Sequence, residues 1–191
     1  GKPVYYERAR HWLKVWLVDP DTRMHPNLRY AQAWPGWKDG TPTGILEGVA
    51  FARNVPDAVL LLRQAGALPD DEDAAIREWI AELLRWLEES DAGKGISTVE
   101  NNHANWYDVQ RVSYLLFLGR NEEARRVLAD VGPLRIGRQI GPDGSQPAEL
   151  KRTKAYDYSL YNLRALTTLC DLGERFDLDL WHFTTPESGG I

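Results

Sequence analysis

Residues 70–90, DDEDAAIREWIAELLRWLEES, place Ile76, Trp79, Ile80, Leu83, Leu84 and Leu87 at intervals of three and four. That spacing forms one stripe on an α-helix but would scatter over both faces of a strand, so the segment reads as a helix with one buried face. Acidic residues at its start suit the positive end of the helix dipole. The same period returns along the chain. YYERARHWLKVWLVD puts Ala9, Trp12, Leu13, Trp16 and Leu17 on one stripe, and VPDAVLLLRQAG reads as a short helix. A helix from about 103 to 118 ends at Gly119 as its C-cap. NEEARRVLADV opens with Asn121 as N-cap and meets an interruption at Gly132-Pro133. A long helix from about 155 to 175 carries Tyr158, Tyr161, Leu163, Leu166 and Leu169. No stretch alternates convincingly with period two, so the fold class is all-α, with paired helices as in a toroid or a solenoid.

Between these helices lie segments of a different character. DPDTRMHPNLRYAQAWPGWKDGTPTG, residues 19 to 44, is irregular and rich in Pro, Gly and Trp, and loops of that length in a compact domain are usually functional. DAGKGISTVE, residues 91 to 100, reads as a flexible connection, and GPDGSQPAEL, residues 141 to 150, as turn chemistry. The chain has 191 residues, enough for one domain with a sizeable core. Its longest apolar runs are too short to span a bilayer, and its start lacks the design of a signal peptide. Neither a membrane nor nucleic acid is expected as partner: the net charge is −5 and there is no Lys/Arg block. An acidic total leaves room for an acidic ligand, because a local basic cluster dominates inside a cleft. The single cysteine, Cys170, reads as a small buried helix residue. Of the eight tryptophans, two thirds are expected in the core and the rest are suited to stacking on sugar rings.

Two constellations carry chemistry. In ENNHANWYDVQ, residues 100 to 110, Asn101, Asn102 and His103 stand together at a helix entry. At helical spacing His103, Tyr107, Gln110 or Arg111, and Tyr114 then share one polar and aromatic face. A histidine beside capping asparagines is the plainer explanation of the first three. In ELKRTKAYDYSLYN, residues 149 to 162, Lys151, Arg152 and Lys154 gather positive charge before a tyrosine-rich helix whose Tyr158, Tyr161, Asn162 and Ala165 share a face. A solvated basic turn would account for that cluster alone. Together the two supply amides, an imidazole, a guanidinium and phenols. The spacings of a metal site, a phosphate-cradling loop and a serine nucleophile are not seen. For a glycosidase pair only Asp108, Glu149 and Asp157 are at hand.

The stretches DPDTRMHPNLRYAQAWPG, ENNHANWYDVQ, GPDGSQPAELKRTKAYDYSLYNLRAL and DLDLWHFTTPE, in this order over nearly the whole chain, resemble the alginate-lyase-like superfamily of polysaccharide lyases. The resemblance is greatest to polysaccharide lyase family 38, with family 5 alginate lyases as more distant relatives. Ala104-Asn105 stands where relatives often show Gly-Thr, and Gly132-Pro133 falls in a helix that is usually continuous. The resemblance implies an incomplete (α/α) toroid, with further helices before residue 1 and a short continuation after Ile191. Residues 1–191 would then be the central and C-terminal part of one domain. By itself this chain would expose apolar faces, so it is expected to be inactive and poorly soluble.

The resemblance also implies β-elimination in an acidic polysaccharide, next to a uronate. It carries the carboxylate-neutralising residues onto Asn102, His103 and Arg152, and the catalytic tyrosine onto Tyr158. Tyr156 and Tyr161 are alternatives, because family 5 spaces its Arg and Tyr differently. The proton on C5 of a uronate is poorly acidic until donors stabilise the charge developing on the carboxylate. Positive charge beside a phenol favours the phenolate, so one tyrosine can take that proton and return it to the leaving O4. Asn27, Gln32, Trp34, Asn101, Trp106, Tyr107 and Gln110 are expected to contact sugar. No metal or cofactor is called for. The leading substrates are β-1,4-linked uronates, either mannuronate-rich alginate or glucuronan, which would place the protein in the periplasm or outside the cell. A non-catalytic helical scaffold that binds carbohydrate or protein would explain the helices and tryptophans, but not Asn-Asn-His with a downstream Arg and Tyr.

Overall fold

The computed structural model describes residues 2–32 and 44–191, which fall into two compact units, Gly1–Ser90 and Asp91–Ile191. Helices dominate both. Among the described residues there is no strand, only an isolated bridge between Thr185 and Ser188, and no helix long and apolar enough to cross a membrane.

The first unit holds α1 (Pro3–Leu13), α2 (Gly48–Gln64) and α3 (Asp70–Glu89). All six residues of the α3 stripe are buried. Leu13 and Leu17 are buried on α1 and the π-helical turn that extends it, Lys14–Val18. Trp12 and Trp16 of the same expected stripe remain 48% exposed. Of the six described tryptophans only Trp79 and Trp106 are buried, so the core takes fewer than two thirds of them. Trp79 also donates to the Met24 carbonyl at 2.7 Å, which ties the irregular segment after α1 to α3. Helix α2 is longer than its apolar run predicts: it starts at Gly48 and passes through Pro56 without ending.

The second unit contains α4 (Asp91–Ser97), α5 (Asn102–Phe117), α6 (Asn121–Ala129), α7 (Gly137–Gln139), α8 (Pro147–Leu150) and α9 (Ala155–Glu174). Helices α5 and α9 pack along one another, with α6 against both and α8 against α9. Residues 91–97 are therefore helical rather than a flexible connection. The cause is distant in sequence: the Arg135 guanidinium donates to the Ser97 carbonyl at 2.9 Å, satisfying a helix end that would otherwise be open. Asn121 is the first residue of α6 and not its cap, since Arg120 occupies the cap position without a side-chain cap bond. Gly119 ends α5 with φ 77°, as its C-cap role requires. Gly132-Pro133 opens a π-helical turn, Gly132–Ile136, rather than ending the helical path. A Cβ at Gly132 would lie 2.6 Å from the Phe183 ring, so the glycine is what lets that ring approach.

Buried polar groups join these helices. Asp108 on α5 accepts from Arg135 at 2.7 Å and lies 3.7 Å from Arg111. Burial raises its carboxyl above the ordinary range, and the two guanidinium groups oppose that. Deeper on α5, Asn105 donates to Gln139 and Asn162 and accepts from Gln139, while Asn162 donates to Gln139 and to Gln146 at 2.9 Å. Removing one member leaves the others buried with unused bonds. Asn105→Ala is expected to cost about 1–3 kcal/mol of stability, read as a lower urea midpoint. An unchanged midpoint would show that this network carries no stability.

Candidate active site

The site begins at the entry to α5. Asn101 lies outside the helix with extended backbone, and its side-chain oxygen accepts the His103 N–H at 3.0 Å. The next cap comes from elsewhere in the unit. Glu149 on α8 is 1% exposed, and its Oε1 accepts the Asn102 backbone N–H at 2.7 Å. The Asn102 side-chain amide also donates to it, with Nδ2 at 2.9 Å from both carboxylate oxygens.

Three residues beyond Glu149, Arg152 closes the α8 turn by donating its backbone N–H to the Glu149 carbonyl at 3.0 Å. Its guanidinium carbon sits 4.0 Å from the centre of the Tyr158 ring, a close cation–π stack. Tyr158 lies in the first turn of α9 and is half-buried. His103 is half-buried too, and its imidazole is held below the ordinary histidine value, first by burial and then by Arg152, with Glu149 pulling the other way. The unit thus brings Asn102, His103, Arg152 and Tyr158 together with Glu149. The carboxylate was in view in the sequence only as a candidate hydrolase group.

The two alternative tyrosines are placed differently. Tyr156 is 76% exposed, and Tyr161 stacks on Trp106 with ring centroids 5.0 Å apart. Several expected sugar contacts face inward. Trp106, Tyr107 and Gln110 are buried, so they offer no open surface to a sugar in this structure. Trp106 packs on Tyr161, Tyr107 lies under the Arg111 guanidinium, and Gln110 donates to the Trp106 carbonyl at 3.3 Å. Asn102, an expected carboxylate contact, is fully buried too and offers no open surface in this structure either, whereas Asn101 stays partly open.

In the first unit Asn27 lines a cavity of about 480 Å³ with Tyr30, Phe51, Trp79 and Leu83 among others. Its side-chain oxygen accepts the Arg29 N–H at 3.1 Å. Gln32 is exposed, and Trp34 lies outside the described residues. Of the three carboxylates a hydrolase could use, two are committed elsewhere, Asp108 to Arg135 and Glu149 to Asn102, and Asp157 is exposed on α9.

A family model described as alginate lyase matches residues 1–191. The chain belongs to the alginate lyase family. A solved structure, that of an alginate lyase from Bacteroides ovatus, superposes with a TM-score of 0.92 at 30% identity, covering 100% of this chain and 50% of that one. The chain therefore spans about half the length of that family member, and the match fits the all-α, toroid-like fold that the sequence implies. A search of curated proteins finds no match.

Proposed function

We propose that the protein is a polysaccharide lyase that cleaves β-1,4-linked uronate polymers, either mannuronate-rich alginate or glucuronan, by β-elimination. The observation that carries this reading is the stack of Arg152 on Tyr158 beside the Asn102–His103 entry of α5, in a chain of the alginate lyase family. The superposed structure is that of an alginate lyase, which supports the substrate class.

In this mechanism the uronate carboxylate is met by donors from Asn102, His103 and Arg152. Those contacts strengthen as negative charge develops in the enolate-like state, so they accelerate the reaction rather than merely tightening binding. The Tyr158 phenolate takes the C5 proton. Electrons move into the C4–C5 double bond, the C4–O4 bond breaks, and the same phenol returns a proton to O4. In mannuronate and glucuronate both atoms lie on one side of the ring, so a single residue serves both steps. His103 enters as a neutral imidazole at neutral pH, because burial and Arg152 disfavour its cation.

Asn101, Asn27, Gln32 and Trp34 keep their proposed role as sugar contacts. A polymeric extracellular substrate favours the periplasm or secretion, and the residues fit the central and C-terminal part of a larger toroid. The test is incubation of the full-length protein with polymannuronate, polyguluronate and glucuronan, followed in the ultraviolet for unsaturated uronate. A lyase produces that absorbance with at least one polymer. A hydrolase yields saturated ends and a scaffold yields no new ends, and either result would overturn the reading.

A further inference from the structure

The charges along α9 run against its own dipole. A helix is stabilised by anions near its N-terminus and cations near its C-terminus. Here Lys151, Arg152 and Lys154 gather just before the N-terminus, and Asp157 is the one carboxylate of the first turn. At the other end Asp171 and Glu174 lie in a last turn that carries no basic residue, and Asp177 and Asp179 follow. These acids act together: burial, and after it Asp171, Asp179 and Glu174, push the Cys170 thiol up to about 12. Arg175 and His182, the latter 2.9 Å from Asp179, offset them in part. The 20 residues of α9 hold the two ends about 30 Å apart, roughly three Debye lengths in ordinary buffer. Each end therefore presents its own sign to solvent, at a cost to the helix that the fold does not explain.

We propose that Lys151 and Lys154 determine specificity at this site, holding the carboxylates of the rings next to the one being cleaved. The inference rests on the lyase reading above. Both lysines are exposed, and neither forms an ion pair among the described residues. Glu149, the carboxylate nearest in sequence to Lys151, is turned inward onto Asn102. Arg152, between the lysines, is half-buried against the Tyr158 ring. The backbone ties both lysines to the same place. The Lys154 carbonyl accepts the Tyr158 N–H at 3.0 Å, and the Lys151 N–H meets the Glu149 carbonyl that Arg152 also uses. A polyuronate carries a carboxylate on every ring, so a chain with one ring at Tyr158 brings further carboxylates past this turn. Ammonium groups on flexible stems suit such neighbours, whose positions vary along a polymer. A neutral polysaccharide gains nothing from them. The acidic far end of α9 repels the same chain, so the polymer is directed towards Tyr158.

The experiment measures kcat and KM of the full-length protein on polymannuronate over a range of salt concentrations. Wild type is compared with the double variant Lys151→Gln, Lys154→Gln and with Lys94→Gln, a control at an exposed lysine on α4. At low salt the double variant is expected to raise KM about fivefold to tenfold, with kcat within about twofold of wild type, since the lysines hold rings that do not react. The gap should close near 1 M salt, where the screening length falls to about 3 Å. Lys151→Arg with Lys154→Arg keeps both charges and should keep KM near that of the wild type. The control should behave as wild type throughout. An unchanged KM in the double variant, a gap that persists in high salt, or an equal rise in Lys94→Gln would overturn the proposal while leaving the lyase reading intact. A loss confined to kcat would overturn it as well. A wild-type protein that cleaves no polyuronate overturns the lyase reading, and this role falls with it.

Discussion

Tyr158→Phe is expected to reduce turnover about 10²–10⁴-fold while leaving folding and polymer affinity near those of the wild type. The substitution removes one oxygen and keeps the ring. A phenylalanine face still accepts the Arg152 guanidinium now stacked at 4.0 Å, so the arginine has no reason to move. What is lost is the group proposed for both proton transfers. Measuring kcat on polymannuronate, with circular dichroism and a direct binding assay, separates these effects. Tyr161→Phe is the internal control, since its ring is already engaged with Trp106. Full turnover in Tyr158→Phe with loss in Tyr161→Phe would move the base to Tyr161.

The second large effect concerns His103. His103→Ala is expected to lower kcat by about 10²-fold or more, since it takes away a donor at the reacting carboxylate. The pH dependence says more than the magnitude. Burial and Arg152 hold the folded imidazole below the ordinary histidine value of 6.5, while Glu149 opposes them. If the neutral form is the active one, kcat/KM rises with pH on an acid limb lying below the ordinary histidine range. Arg152→Gln removes a lowering influence, so what activity remains should show that limb displaced to higher pH. A limb displaced to lower pH, or unmoved, would show that Arg152 does not act on His103. Stability follows the same sign. Between the lowered value and 6.5 the unfolded chain binds the proton and the folded chain does not, so acid weakens the fold in that window.

Much of this was legible where the cause is local. The α3 stripe needs only its own spacing, and Asn-Asn-His marks a helix entry because capping is read within three residues. The Arg–Tyr pair was legible as well, since a turn and the start of a helix bring residues six apart into contact. What escaped reading depends on distant partners. Helix α4 is completed by Arg135, which lies 38 residues from the carbonyl it satisfies. Trp106, Tyr107 and Gln110 were expected to contact sugar because the sequence does not show that neighbouring helices cover this part of α5, where all three are buried. Trp12 and Trp16 failed in the opposite sense, as a helical stripe can be wider than the surface it covers. Glu149 was in view only as a possible hydrolase carboxylate, because its bonds to Asn102, 47 residues away, leave no local trace.

The cap that Glu149 provides also orders events in time. The Asn102–Glu149 bonds join residues 47 apart, so the entry of α5 cannot be completed by its own neighbourhood when the helix first forms. Contacts of such separation wait for loop closure, whose entropic cost comes before the bond rewards it. The body of α5 can grow early on local hydrogen bonds and on the Asn101 cap, while the Asn102 bonds wait for α8. Because α8 is only Pro147–Leu150, its docking brings Glu149 and the start of the Arg152 turn into place in one step. The entry of α5 and the Arg152 turn are therefore completed together, by the docking of α8.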